Sequence, residues 1–234
     1  MDSERTCDSA AAPRGTGTAP DLTGIRLAHR AMLADIDRLA ALLAGLASAG
    51  RPVSAGRAAA IAAYVHRYHA VVRGHHRGED RVLWPLVLDA VPDAADTVAG
   101  LVRFADDHEA LDALQAACDS AADRFAADPD GRVRELAGLL ARQRDLLARH
   151  VAAEEEHLFP LLTGRVPGAA YAAAEAGIRS TDRAADPAWA RGWLLSHATP
   201  GELHRLLPRG AADPAAVRPL LRAYADEAEA VFAG

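Results

Sequence analysis

Two stretches of this chain carry residue types that bind metal ions, at a spacing that lets them act together. His75-His-Arg-Gly-Glu79-Asp-Arg-Val-Leu-Trp84-Pro85 recurs seventy-five residues later as His150-Val-Ala-Ala-Glu154-Glu-Glu-His-Leu-Phe159-Pro160. In each copy a His is followed by a Glu at i+4, an aromatic at i+9 and a proline at i+10. On a helix, positions i and i+4 share one face about one turn apart, so an imidazole and a carboxylate can reach the same ion. That donor pair suits iron, zinc or manganese, whereas carboxylates and carbonyls alone would suit magnesium or calcium.

The elements that must position these residues follow from composition and periodicity. The chain has 234 residues, half of them apolar and only 5% aromatic. Alanine supplies much of the apolar half, and long runs of Ala, Leu, Arg, Glu and Asp with few β-branched clusters predict an all-α protein. Every basic residue is Arg, the net charge is −6, and no basic stripe stands out, which argues against a nucleic-acid partner. Cys7 and Cys118 fit no metal spacing and are too sparse for a secreted disulfide scaffold, so a reducing cytoplasm is the expected compartment. No stretch reads as a signal peptide or as a membrane span.

Residues 1–20 read as a disordered tail. Asp21 is then placed to cap a first helix with apolar residues at helical period, stopping at Gly50-Arg-Pro52. Ser54 opens a second helix that runs through the first motif to about Asp89, with a kink or a lost backbone bond expected at Pro85. A third starts after Pro92-Asp93 and ends near Asp128-Pro-Asp-Gly131, and a fourth carries the second motif and closes around Gly164. Four long helices on short connections make an up-down-up-down four-helix bundle over residues 21–165.

Counting along those helices tests whether further histidines join the motifs. His29 lies 21 residues before Gly50 and His75 lies 21 after Ser54, while His108 lies 20 before Asp128 and His150 lies 19 after Gly131. With a common rise per residue, the four fall at one level of an antiparallel bundle. Each hairpin then contributes a lone His and a His-x-x-x-Glu, which predicts a pseudo-twofold site with identical halves.

This pattern resembles the hemerythrin-like (HHE cation-binding) family, in its H…HxxxE…H…HxxxE form, including the Leu83-Trp84-Pro85 and Leu158-Phe159-Pro160 endings. The resemblance implies a non-haem di-iron centre with ligands His29, His75, Glu79, His108, His150 and Glu154, the two Glu residues bridging a pair of iron ions. Zinc or manganese would be the less expected occupants. The oxygen-carrying members use five histidines and one carboxylate at i+5, whereas four histidines and two Glu are counted here. A coordination position filled in the carriers would be open, which favours activation of O₂, peroxide or NO over reversible carriage. The implied protein is a small-molecule-binding di-iron oxidoreductase or peroxide-consuming enzyme. Its rivals are a non-catalytic oxygen, NO or redox sensor, an iron-binding protein, and a bundle with a structural zinc.

Residues near the motifs have plainer readings. His76 and Asp80 form a competing i, i+4 pair, but the repeat favours His75, so His76 is expected to be partly exposed. His157 is expected at the surface, and His66 and His69 as packing or solvent residues. Tyr64 and Tyr68 read as core contacts with a hydroxyl partner, with a pocket residue that hydrogen-bonds a metal-bound oxygen species as the rival reading. Gly74 and Gly78, an i, i+4 pair beside the first motif, read either as a point of close helix approach or as room for a small ligand. Asp80, Asp107, Glu109 and Glu155 are candidates to orient the ligand imidazoles. Residues 166–234 form a C-terminal helical extension with helix starts at Asp186-Pro187, Thr199-Pro200 and Asp213-Pro214. Its Trp189 and Trp193 need cover, so it is expected to dock on the bundle. His197 and His204 read as ordinary surface residues. The implied ligand is a diatomic or a peroxide, and nothing points to a particular protein partner.

Overall fold

The computed structural model describes residues 17–91, 95–181, 186–207 and 214–233, and every regular element among them is helical. Among the described residues nine α-helices fall in three groups, the first being the long bundle helices α1 (Thr23–Ala49), α2 (Ala55–Gly78), α4 (Ala95–Ala127) and α5 (Pro129–Arg165). The α2 rod continues through a π-helical turn, Glu79–Leu83, into α3 (Trp84–Ala90). The C-terminal segment forms α6 (Gly168–Thr181), α7 (Pro187–Ser196), α8 (Pro200–Leu206) and α9 (Pro214–Phe232). None of the described helices is long and apolar enough to cross a membrane.

The helix ends follow local chemistry. Ser54 Oγ accepts the N–H of Arg57 to start α2, Asp128 accepts that of Gly131 to start α5, and Asp186 accepts that of Trp189 to start α7. Thr199 and Glu202 satisfy each other's backbone N–H groups in a capping box on α8. The first helix departs from expectation. Asp21 does not cap it; its Oδ1 instead accepts the N–H and hydroxyl of Thr23, and Leu22 occupies the cap without a side-chain bond. The expected tail lies outside the described residues up to residue 16. Of its last four residues, Thr18 gives its carbonyl to the N–H of Gly168 at 2.9 Å. Pro92, Asp93 and Asp213 also lie outside the described residues.

The bundle does not close on itself. α1 packs along α5, α5 along α4, and α4 along α2, while α1 and α2 touch little. That edge is filled by α7 and α9, whose Trp189, Trp193, Tyr224 and Val231 share one core with Met32, Ile36, Ile61 and Val65. Fully burying each such large side chain is worth about 1.5–3 kcal/mol. At the other end Leu22, Ile25, Leu83, Val87, Leu101 and Leu162 build a second core. The polar layer that holds the two motifs lies between these apolar blocks.

The two prolines at i+10 behave differently. Around Pro85 the helix widens into the π turn, in which the N–H of Trp84 reaches the carbonyl of Glu79, a form of insertion that recurs at functional sites. Pro160 sits inside α5 with no such change. Proline alone therefore does not make the π turn. The first copy also meets α6, where a Cβ on Gly78 would come within 2.8 Å of Ile178 Cγ2, the close approach expected at that glycine.

Candidate metal centre

Four helices deliver their chemistry to one layer. His29 comes from α1, His75 and His76 from the last turn of α2, Glu79 from the start of the π turn, His108 from α4, and His150 and Glu154 from α5. The structure brings all six sequence-derived candidates together. His29, Glu79, His108, His150 and Glu154 are buried, and only His75 keeps noticeable exposure, 14% of its side chain.

It also adds a seventh. His76 is 2% exposed and its ring stacks on His108 at 4.2 Å between centroids. One donor atom from each of His76, Glu79, His108 and His150 can be chosen with all of them within 4.8 Å of one another, and His29, His75 and Glu79 form a second such group. The expectation of a partly exposed His76 is thereby corrected. The signal was available: Glu79 stands at i+4 from His75 and i+3 from His76, and both spacings are helix-face neighbours. Adjacent histidines diverge by about 100° around the axis, so each can serve a different ion while one Glu serves both.

The expected identity of the two halves does not hold either. One half has His29 and His75, and the other has His76, His108 and His150. The second copy carries Val151 where the first carries His76, and that residue packs in the core.

The carboxylates span the halves. Glu79 Oε1 lies 3.0 Å from His75 Nε2 and 3.8 Å from His29 Nε2, and its Oε2 lies 3.7 Å from His108 Nε2. Glu154 Oε2 lies 3.5 Å from His29 Nε2, while its Oε1 lies 3.4 Å from His150 Nε2 and 3.9 Å from His108 Nε2. Each Glu thus turns one oxygen to each half.

Around this layer the twofold relation reappears, crossed between the hairpins. The residue after each Glu holds the lone His of the other hairpin: Glu155 Oε1 is 3.0 Å from His29 Nδ1, and Asp80 Oδ1 is 2.9 Å from His108 Nδ1. An ionised carboxylate only accepts, so each Nδ1 carries a hydrogen and each Nε2 is turned to the centre, where it would offer its lone pair to a bound cation. Asp107 lies 3.7 Å from His150 Nδ1, and Glu109 is exposed. The aromatic of each motif stacks on the same imidazole that its acid holds. Phe159 lies 5.7 Å from His29 and Trp84 lies 6.0 Å from His108, both nearly parallel.

The electrostatics fit a cation. His29 Nε2, His75 Nε2, both nitrogens of His76 and all four oxygens of Glu79 and Glu154 are buried without a hydrogen-bond partner. Buried polar groups are ordinarily satisfied, so a cluster of orphans needs an occupant. His108 Nε2 and His150 Nε2 face each other at 3.1 Å. Burial and then the neighbouring His108 hold His76 and His150 below the ordinary imidazole range, His150 to about 3, so both stay neutral as metal ligands require. Burial opposes ionisation of Glu79, but His75 and His29 outweigh it and hold that carboxyl well below its usual range. Burial and then the charge of Glu79 push Glu154 up. Two carboxylates this close repel unless positive charge lies between them.

The other singled-out residues lie apart. His69 bonds Asp119 at 2.5 Å and Gln143 at 2.9 Å, and His66 bonds Asp123 at 2.8 Å. Tyr68 donates to the Met32 carbonyl and Tyr64 to Asp35, as core contacts with hydroxyl partners. His157 and His204 are exposed, whereas His197 is half-buried, 3.7 Å from Asp35.

Comparison with curated proteins and with solved structures finds no match. A family model described as the hemerythrin HHE cation-binding domain matches residues 21–162, more than half of the chain. That match spans α1 to α5 and every member of the His/Glu layer, and the chain belongs to the hemerythrin HHE cation-binding domain family.

Proposed function

We propose that the layer holds a carboxylate-bridged pair of iron ions and that the protein uses it to bind and activate O₂, peroxide or NO. The observation that carries this reading is that Glu79 and Glu154 each direct one oxygen to the His29–His75 half and the other to the His76–His108–His150 half. Mixed imidazole and carboxylate donors suit iron. Bound there, an iron pair supplies Lewis acidity and the capacity to exchange electrons with a small oxidant.

The chain's own residues do the rest. Glu79 and Glu154, with one oxygen turned to each half, would hold both ions. Asp80 and Glu155 keep the Nδ1 hydrogens on His108 and His29 and so aim both Nε2 atoms inward. Trp84 and Phe159 fix those rings face-on, and the apolar blocks above and below exclude water. The His29–His75 half has fewer protein ligands and contains the one ligand with solvent exposure, so the incoming small molecule is read as approaching there.

The test is anaerobic reconstitution with ferrous iron, metal analysis, and optical spectra before and after O₂, hydrogen peroxide or NO. Dinuclear loading with a new charge-transfer band is the expected result. A protein that retains zinc in preference to iron, with no spectral response to any of the three, would sink the proposal.

A further inference from the structure

The aromatic residues are not spread through the molecule. Of the 4 Tyr and 3 Trp in the chain, only Trp84 and Tyr171 lie outside one contiguous cluster at the α1–α2 edge. Tyr68 is its inner end. It is fully buried, stands seven residues before His75, about 10 Å along the helix axis, and donates its hydroxyl at 3.0 Å to the carbonyl of Met32, three residues after His29. Trp193 follows at 6.5 Å between ring centroids, then Trp189 at 6.3 Å in a near-parallel stack, then Tyr64 at 5.4 Å. Trp189 keeps 6% of its exposure, so the cluster runs from one helical stretch away from the metal layer into the core of the extension, just beneath its surface.

At the heart of the cluster is a carboxylate with no solvent exposure. Asp35 Oδ2 accepts the hydroxyl of Tyr64 and, at 2.7 Å, the indole N–H of Trp193, while Arg38 lies 3.0 Å from Oδ1. Tyr224 Oη completes the group, 2.8 Å from Tyr64 Oη. Packing alone would require aromatic area, but it would not require a buried charge in place to take a phenolic proton. Phenols and indoles are the side chains most readily oxidised by one electron, and a phenol oxidises far more readily when a base stands ready for its proton.

We propose that Tyr68, Trp193, Trp189 and Tyr64 form a chain that passes single electrons to the metal centre, with Asp35 as the proton acceptor for Tyr64. This rests on the di-iron reading. When peroxide has oxidised the centre, one electron leaves Tyr64 and arrives through Trp189, Trp193 and Tyr68. The Tyr64 O–H bond breaks, the proton moves to Asp35 Oδ2, and a neutral tyrosyl radical remains. A one-electron reductant from solution, such as a thiol or ascorbate, then reduces the radical as the proton returns. The chain would drain a surplus oxidising equivalent before it damages the ligand histidines.

Two measurements test this, and they fail separately. In the first, the full chain, zinc-loaded or as purified, is oxidised by flash-generated ruthenium(III) tris-bipyridine, so that the iron plays no part. A tyrosyl radical is expected by electron paramagnetic resonance, lost in Tyr64→Phe, which keeps the ring packing, and formed more slowly in Trp193→Phe, which keeps a smaller aromatic ring in place of the indole. No tyrosyl radical, or one that survives Tyr64→Phe, overturns the proposal. In the second, the iron-loaded protein is treated with hydrogen peroxide while its iron spectrum and its radical signal are followed together. The same radical is expected to follow the change in the iron spectrum. An iron response without any radical overturns the connection to the centre. Absence of an iron response refutes the di-iron reading, and the flash result then decides on the aromatic chain by itself.

Discussion

The two halves of the metal layer are built from a repeated motif and yet differ by one side chain. The carboxylates, their neighbours Asp80 and Glu155, and the stacked aromatics Trp84 and Phe159 all obey a crossed twofold relation. His76 does not, because the corresponding residue of the second copy is Val151. The comparison separates two jobs. Positions that orient imidazoles and bridge the halves repeat, since each half needs both. The position that, on the proposed di-iron reading, sets how many ligands each ion would receive does not repeat, and a centre that admits an outside ligand at one ion would gain from that inequality.

Substitutions at the bridges should have the largest effect, because they strike both halves. Glu154→Ala, at a bridge, and His75→Ala, which removes one of the two imidazoles of the smaller half, are each expected to abolish dinuclear loading, measured as metal per chain after reconstitution and desalting. Retention of both ions by both variants would show the ligand set to be wrong. His76→Val leaves two histidines in each half, and the expected outcome is weaker retention of the ion at the His108–His150 half under chelator competition, with the other ion held as in wild type. Equal retention of both ions would instead return His76 to a packing role.

Smaller changes come from the orienting acids. Asp80→Asn and Glu155→Gln should each lower metal affinity by about 10–100-fold, the first through His108 and the second through His29. Competition with a chelator would read the two losses separately. Smallest of all is an effect of acid on the extension near His29. The Arg30 guanidinium and then the Thr199 N–H hold the Glu202 carboxyl down to about 2, from an ordinary 4.5. Its folded value is lowered, so its contribution is present above pH 4.5 and fades as pH falls toward 2. Hydrogen exchange in α7 and α8 should rise across that window, more in wild type than in Arg30→Ala, which lacks the ion pair from the start.

Much of the centre was legible because it is local. Glu at i+4 from His, copied once, places two donors on one face of each helix wherever that helix goes. Counting residues from the turns then aligned His29 and His108 with them. Exact symmetry of the repeat points away from His76, because Val151 holds its place in the second copy, whereas its i+3 spacing to Glu79 points toward it. The choice of Asp80 and Glu155 among the nearby acids was not readable, since it depends on which helix faces which. Nor was the π turn, for Pro85 and Pro160 hold the same place in the repeat and only Pro85 follows one.

By itself, then, the chain's order of residues determined that helices would form, where they would stop, and which faces would carry imidazole and carboxylate, because those properties depend on neighbours within a turn or two. Tertiary structure alone decided that Asp80 and Glu155 each cross to the lone histidine of the other hairpin, that α7 and α9 fill the α1–α2 edge, and that Asp35 gathers Tyr64 from α2 and Trp193 from the C-terminal extension. These are contacts between residues far apart in sequence. Their partners are chosen by how whole helices pack and by the need to satisfy each buried polar atom, which no local spacing encodes.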